Sequence, residues 1–196
     1  WAHEVVKHLV ASGQPGRVLI LAPLAVGPQT VREAVKFGIP DVRFVRSQDQ
    51  VQGGISICNY ESMHKLDGDQ FGGIVLDESS ILKSFMGKYR NDLIAKFSAT
   101  PYKLACTATP APNDFVELGN HSEFLGVMDR TNMLARWFIN DLGNTVDTWR
   151  LKGHAIVPFW DWVTSWARCI GVPSDMGQYS DTGYDLPDLH IVRHTV

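Results

Sequence analysis

Cysteine is scarce in this chain. Three thiols, Cys58, Cys106 and Cys169, are spread over 196 residues without metal-ligand spacing. That argues against a disulfide-stapled scaffold or a cysteine-based zinc site, and predicts reduced, mostly buried thiols in a cytoplasmic protein. Charge of one sign is missing as well: 18 basic against 21 acidic residues give a net charge of −3. With no global basic field, any DNA contact has to come from local patches. No apolar run approaches ~18 residues, so no membrane-spanning helix is expected, and no signal-peptide pattern is present. Repeats and low-complexity tracts are absent. His3, His8, His64, His121, His154, His190 and His194 form no zinc-type pattern, which leaves them surface or hydrogen-bonded roles.

What is present is an alternation. With 44% hydrophobic residues the chain can bury a core, and one domain is expected. Helices are predicted near 2–11, 28–37, 61–66, 89–97 and 113–125. Strands are predicted at 18–22, 42–45, 55–58, 73–77 and 103–106. Short apolar strands between amphipathic helices imply an α/β fold with a doubly wound parallel sheet. The loops after strands 18–22, 55–58, 73–77 and 103–106 then share one rim.

Asp77-Glu78 stands at the end of the run Ile74-Val75-Leu76. A buried strand there delivers two carboxylates to the carboxyl edge of the sheet, where open α/β sheets bind ligands. One acid can hold Mg²⁺ through its waters while the other positions or deprotonates an attacking water. The plain alternative is that Asp77, Glu78 and Ser79 only cap the next helix. About thirty residues on, Lys103 to Cys106 reads as another short strand, ending in Thr107-Ala108-Thr109-Pro110. Those hydroxyls can relay hydrogen bonds, or can be an ordinary Thr/Pro turn.

Together these segments resemble superfamily-two helicases. Val75-Leu76-Asp77-Glu78-Ser79-Ser80 is similar to their Walker B, or DEAD/DEAH, motif, and Thr107-Ala108-Thr109-Pro110 to their motif III. Val18 to Leu24 resembles motif Ia and Cys58-Asn59-Tyr60-Glu61 motif Ib. Ile81-Leu82-Lys83-Ser84 and Pro110-Ala111-Pro112-Asn113-Asp114, with Glu117-Leu118 and Phe124-Leu125, look like the flanks of Swi/Snf-type DNA translocases. The Asn-Tyr-Glu and Asp-Glu-Ser-Ser variants look most like helicases encoded by bacteriophages. The resemblance spans roughly residues 1–125, in the family's order. Ser80 departs from it, since DEAH proteins carry His there.

The resemblance implies a RecA-like first motor lobe using ATP and Mg²⁺. Asp77 would hold Mg²⁺ and Glu78 would act on the hydrolytic water. Thr107 and Thr109 would couple nucleotide state to DNA grip. Pro23, Leu24, Asn59 and Tyr60 would mark loops on the DNA backbone, without reading sequence. A second RecA-like lobe would be the partner. No Gly-x-x-x-x-Gly-Lys-[Ser/Thr] occurs; Gly87-Lys88 lacks both the glycine spacing and the hydroxyl. Starting at Trp1 inside a helix, the chain reads as lobe one clipped at its front. The expected division is 1–127 for the partial ATP-binding lobe, 128–184 for a helical appendage, and 185–196 for a linker, with Leu186-Pro187 in it, towards an absent second lobe.

The stretch from 137 to 166 is rich in tryptophan: Trp137, Trp149, Trp160, Trp162 and Trp166. Pro158 to Ile170 reads as a helix with Phe159, Trp162, Val163, Trp166 and Ile170 on one face, which is the pattern of a core-packing helix. The sharper reading makes Trp160, with Arg168 opposite, a base-stacking or backbone-binding surface.

Two rivals remain to be weighed. A phosphatase or dehalogenase-like hydrolase also places Asp after an apolar strand, but it needs a second Asp two positions on, where Ser79 stands. A non-catalytic nucleic-acid-binding or interaction module derived from a helicase lobe fits the missing phosphate loop. The retained Asp77-Glu78 pair favours the motor.

Overall fold

The computed structural model describes residues 1–83, 87–140 and 149–184. Five strands form one parallel sheet: β1 (Arg17–Ala22), β2 (Val42–Phe44), β3 (Gly54–Asn59), β4 (Gly73–Asp77) and β5 (Tyr102–Cys106), in the order β2-β3-β1-β4-β5. Their continuous apolar character follows from the layers on both faces. On one face α1 (Ala2–Ala11) packs Val5 and Leu9 against Val18. The opposite face is the larger core. There Leu19, Leu21, Ile74 and Leu76 meet Leu93 and Phe97, from α3 (Lys88–Lys96) and the residue capping it, and Phe124 of α4 (Leu118–Leu125). A third helix, α2 (Gly27–Lys36), follows β1; a Cβ at Gly27 would meet the Phe44 ring at 2.5 Å, so this close approach needs glycine.

β4 lies between β1 and β5, so the strand bearing the acids is doubly paired. Among the described residues β5 pairs only with β4 and forms one edge of the sheet, its apolar residues half-buried. Nearly every strand and helix predicted in the first 125 residues is found within one or two positions. The segment near 61–66 is instead a 3₁₀ run, Tyr60–Lys65, which turns Tyr60 inward as β3 ends. The segment near 113–125 divides into a 3₁₀ turn, Phe115–Glu117, whose cap Asp114 accepts from the Val116 N–H, and then α4. Gly126, left-handed at φ 76°, closes α4.

Beyond α4 the pattern differs from the expected helical appendage. α5 (Arg130–Trp137), capped by Asp129, runs into an antiparallel pair, β6 (Phe138–Asn140) with β7 (Trp149–Leu151). Three-residue strands are too short to show alternation in sequence. The chain divides into two compact units, Trp1–Gly153 and His154–Val196, so residues 128–153 group with the sheet. In the second unit α6 (Ile156–Trp166) buries Phe159 and Val163, with the Trp162 ring between Phe159 and Trp166. It stops at Trp166, short of Ile170, because Ala167 is extended and the Arg168 guanidinium turns back onto the carbonyls of Thr164 and Ala167. Residues 167–184 contain only a 3₁₀ turn, Pro173–Met176. The expected linker 185–196 and Ser84 lie outside the described residues. No helix among the described residues is long and apolar enough to cross a membrane.

Leu76 is fully buried in a central strand, whereas Leu24 is exposed. Leu76→Ala is expected to lower unfolding free energy by ~2–5 kcal/mol, and Leu24→Ala by less than ~0.5 kcal/mol. Urea denaturation of both variants checks this.

Candidate functional site at the β4 edge

The site is created by strand register. β4 and β5 pair with Asp77 opposite Cys106, so the next residues, Glu78 and Thr107, also come together. Thr107 Oγ1 donates to Glu78 Oε1 at 2.9 Å and accepts from the Thr109 N–H at 3.0 Å. The two segments thirty residues apart in sequence are therefore joined by a hydrogen bond from hydroxyl to carboxylate. Glu78 Oε2 has no hydrogen-bond partner among the described residues, and the side chain is exposed.

The two acids sit in different environments. Asp77, on the last position of β4, is half-buried. Burial, and then the neighbouring Glu78 charge, hold its carboxyl above its ordinary range. A cation at this edge would relieve both effects. Glu78 has φ 58°, a left-handed backbone at a residue with a full side chain. That conformation costs roughly 1–2 kcal/mol and persists only where the surroundings impose it. It turns the chain sharply at the strand end and breaks the strand's alternation at Glu78. Neither acid caps a following α-helix: residues Ser79–Lys83 form a 3₁₀ turn. The strain and the Thr107 bond are what a simple capping role would not require.

Groups from three other elements fix this turn. The Tyr60 hydroxyl donates to the Asp77 carbonyl at 2.8 Å, and the Tyr89 hydroxyl donates to the Tyr60 carbonyl. Ser79 Oγ and His121 Nε2 are hydrogen-bonded at 3.1 Å, both buried. Asn120 Nδ2 donates to the Leu82 carbonyl at 2.8 Å. Further along, Asn113 Nδ2 donates to Glu117 Oε1 at 2.8 Å, which ties together the Asn and Glu of the Pro-x-x-Asn-x-x-x-Glu stretch. The Cys106 thiol beside Asp77 is pushed up by burial and by the Asp77 charge, which disfavours a thiolate nucleophile here.

The residues expected on DNA are placed unequally. Pro23 and Leu24 follow β1 on the same rim, with Leu24 64% exposed. Asn59 and Tyr60 are only 8% and 5% exposed. Asn59 Nδ2 is engaged by Glu61, and the Tyr60 phenol by Asp77. In this conformation neither presents a side-chain surface to a nucleic acid. Lys83 is exposed at the end of its turn. In the second unit, Arg168 is occupied with its own helix end.

Tyr60, Asn120 and His121 are the site residues that the sequence did not single out as supports. The one signal is on α4, where Asn120-His121-Ser122 are consecutive, polar and all buried. Buried polar groups need partners, but nothing in the sequence says which. No group of three or more His, Cys, Asp or Glu able to hold a metal exists among the described residues. No protein-family model matches the chain, and no curated protein matches its sequence.

Burial holds the His121 imidazole below its ordinary range, against the opposing influence of Glu117 and Ser79. The folded chain therefore keeps His121 neutral, while the unfolded chain takes up a proton below pH ~6.5. Stability from this group is present above that pH and is lost as pH falls. The urea midpoint is expected to drop between pH 7 and 5, and His121→Gln should show a smaller drop over that interval.

Proposed function

We propose that this chain is the first motor lobe of an ATP-dependent DNA helicase or translocase of the superfamily-two, Swi/Snf-like kind, with a RecA-like sheet. The observation that carries the reading is the Glu78–Thr107 contact, which joins the segments resembling Walker B and motif III at one sheet edge.

Asp77 is the Mg²⁺ ligand. A single carboxylate is in keeping with Mg²⁺ chemistry, because the ion keeps several waters and takes its remaining ligands from substrate phosphates. The donor set fits: Asp77 is half-buried at the carboxyl edge of the sheet, and its carboxyl is raised by burial and by the Glu78 charge. Held by Asp77, the ion would supply neutralising charge at the transferring phosphoryl group when ATP is bound. Glu78, exposed and with Oε2 open, orients the attacking water and accepts its proton. Thr107 senses that carboxylate directly, and Thr109 is tied to Thr107 through its backbone. A change at the nucleotide thereby passes to the loop 107–110. On the DNA side, Pro23 and Leu24 form the exposed contact. Tyr60 links the β3 end, in the segment resembling motif Ib, to the backbone of the metal ligand. Contacts of this kind grip the backbone of DNA without reading its sequence.

The chain contains no phosphate-cradling glycine loop. This favours the alternative of a binding or interaction module when the 196 residues act alone. The motor reading applies to a protein that supplies that loop and a second lobe.

In such a full-length protein Glu78→Gln keeps shape and hydrogen bonding but removes the base. Nucleotide affinity should be retained, while DNA-stimulated turnover falls by ~10²-fold or more. Asp77→Ala should instead weaken nucleotide binding only when Mg²⁺ is present. The paired measurement is nucleotide affinity with and without Mg²⁺, alongside turnover. Near-normal turnover in Glu78→Gln would overturn the assignment.

A further inference from the structure

We propose that α4 is a brace that holds Glu78 in its working conformation, with His121 and Asn120 as positioning residues acting through the turn Ser79–Lys83. This rests on the reading of Glu78 as the group that acts on water.

Glu78 adopts a left-handed backbone that a glutamate does not choose by itself. Its side chain is held from one side by Thr107. Its N-terminal neighbour is held by the Tyr60 hydroxyl on the Asp77 carbonyl. What fixes the chain after Glu78 is α4. The Ser79 side chain is buried and requires a partner, which it finds in His121. The preceding residue on the helix, Asn120, reaches the far end of the same turn, to the carbonyls of Leu82 at 2.8 Å and Lys83 at 3.3 Å. Two consecutive side chains of one helix thus grip both ends of a five-residue turn whose first member follows Glu78.

The helix is itself firmly seated. Phe124 is in the main core, Glu123 pairs with Arg90 of α3, and Ser122 Oγ donates to the Met128 carbonyl. Burying three consecutive polar residues on a short helix is costly unless each is paired. Asn120 Nδ2, His121 Nε2 and Ser122 Oγ each have a partner, two of them in the turn 79–83, while Asn120 Oδ1 and His121 Nδ1 are buried without one among the described residues. Losing the brace would let the turn relax towards an ordinary backbone and swing the Glu78 carboxylate away from the water it orients. Nucleotide binding, which depends on Asp77 and on groups outside this turn, would be little changed.

The experiment compares Ser79→Ala, His121→Ala and His121→Gln, each alone and combined with Glu78→Gln, in the full-length protein. Ser79→Ala removes a single oxygen and keeps the test readable if His121→Ala folds poorly. The expected result is at least a tenfold loss of turnover for Ser79→Ala and His121→Ala, with nucleotide KM within about twofold. His121→Gln, which retains a partner for Ser79, should recover part of the loss. In the Glu78→Gln background the same substitutions should cost nothing further, because the residue they act through has been disabled. A purely structural role would give the same proportional loss in both backgrounds, and that result, or unchanged turnover, would overturn the brace. Glu78→Gln without effect would instead overturn the reading of Glu78 itself. A second measurement needs no activity: amide exchange over residues 79–83 of the 196-residue chain should quicken at least tenfold in Ser79→Ala, with β1 and β3 unchanged. Unchanged exchange in that turn would likewise refute the brace.

Discussion

The parallel pairing of β4 with β5 is the constraint on which the site depends. The register that sets Asp77 opposite Cys106 also sets Glu78 beside Thr107. A slip of one residue would exchange the faces of Ile74 and Leu76 and empty the larger core. The apolar packing that stabilises the sheet therefore also specifies the geometry of this edge. Ile74 and Leu76 are both fully buried among residues of β1, α3 and α4, so a change of register would be costly.

Around that register lies a strained point held from several directions. Glu78 is left-handed, and Tyr60, Thr107 and Ser79 with His121 bring in groups from the segments after β3 and β5 and from α4. Strain of this kind is stable only when its surroundings over-determine it. Adjacent carboxylates thereby sit in different environments. Asp77 stays partly within the sheet with its acidity shifted by burial, while Glu78 is exposed and bound to Thr107. The same arrangement gives a short physical path between surfaces. The segment after β3 touches the backbone of Asp77 through Tyr60, and the segment after β5 touches the carboxylate of Glu78 through Thr107. An element that moves either loop would move an acid.

Much of this was legible in the sequence. Ile74-Val75-Leu76 and Val18 to Leu21 are continuous apolar runs, and such runs determine buried parallel strands almost regardless of context. That the Asp77-Glu78 and Thr107 segments share one rim followed from two parallel strand ends, whereas the hydrogen bond between Thr107 and Glu78 depends on the β4–β5 register. The outcome was different where tertiary contacts decide. Tyr60 is expected, by resemblance, to mark a loop on the DNA backbone, yet its ring turns inward because the 3₁₀ run after β3 is short and the Asp77 carbonyl is within reach. His121 is one of seven histidines without a pattern, and only its position on α4 opposite Ser79 gives it a role. The β6–β7 pair escaped because three-residue strands leave no periodicity, and the end of α6 moved because Arg168 supplies its own cap.

In the proposed motor, this edge hydrolyses ATP in response to DNA. ATP turnover by the wild-type full-length protein, with and without duplex and single-stranded DNA of unrelated sequences, tests that role. Mg²⁺-dependent hydrolysis is expected to rise at least tenfold on adding DNA and to be indifferent to its sequence. Absence of Mg²⁺-dependent hydrolysis under both conditions would contradict it.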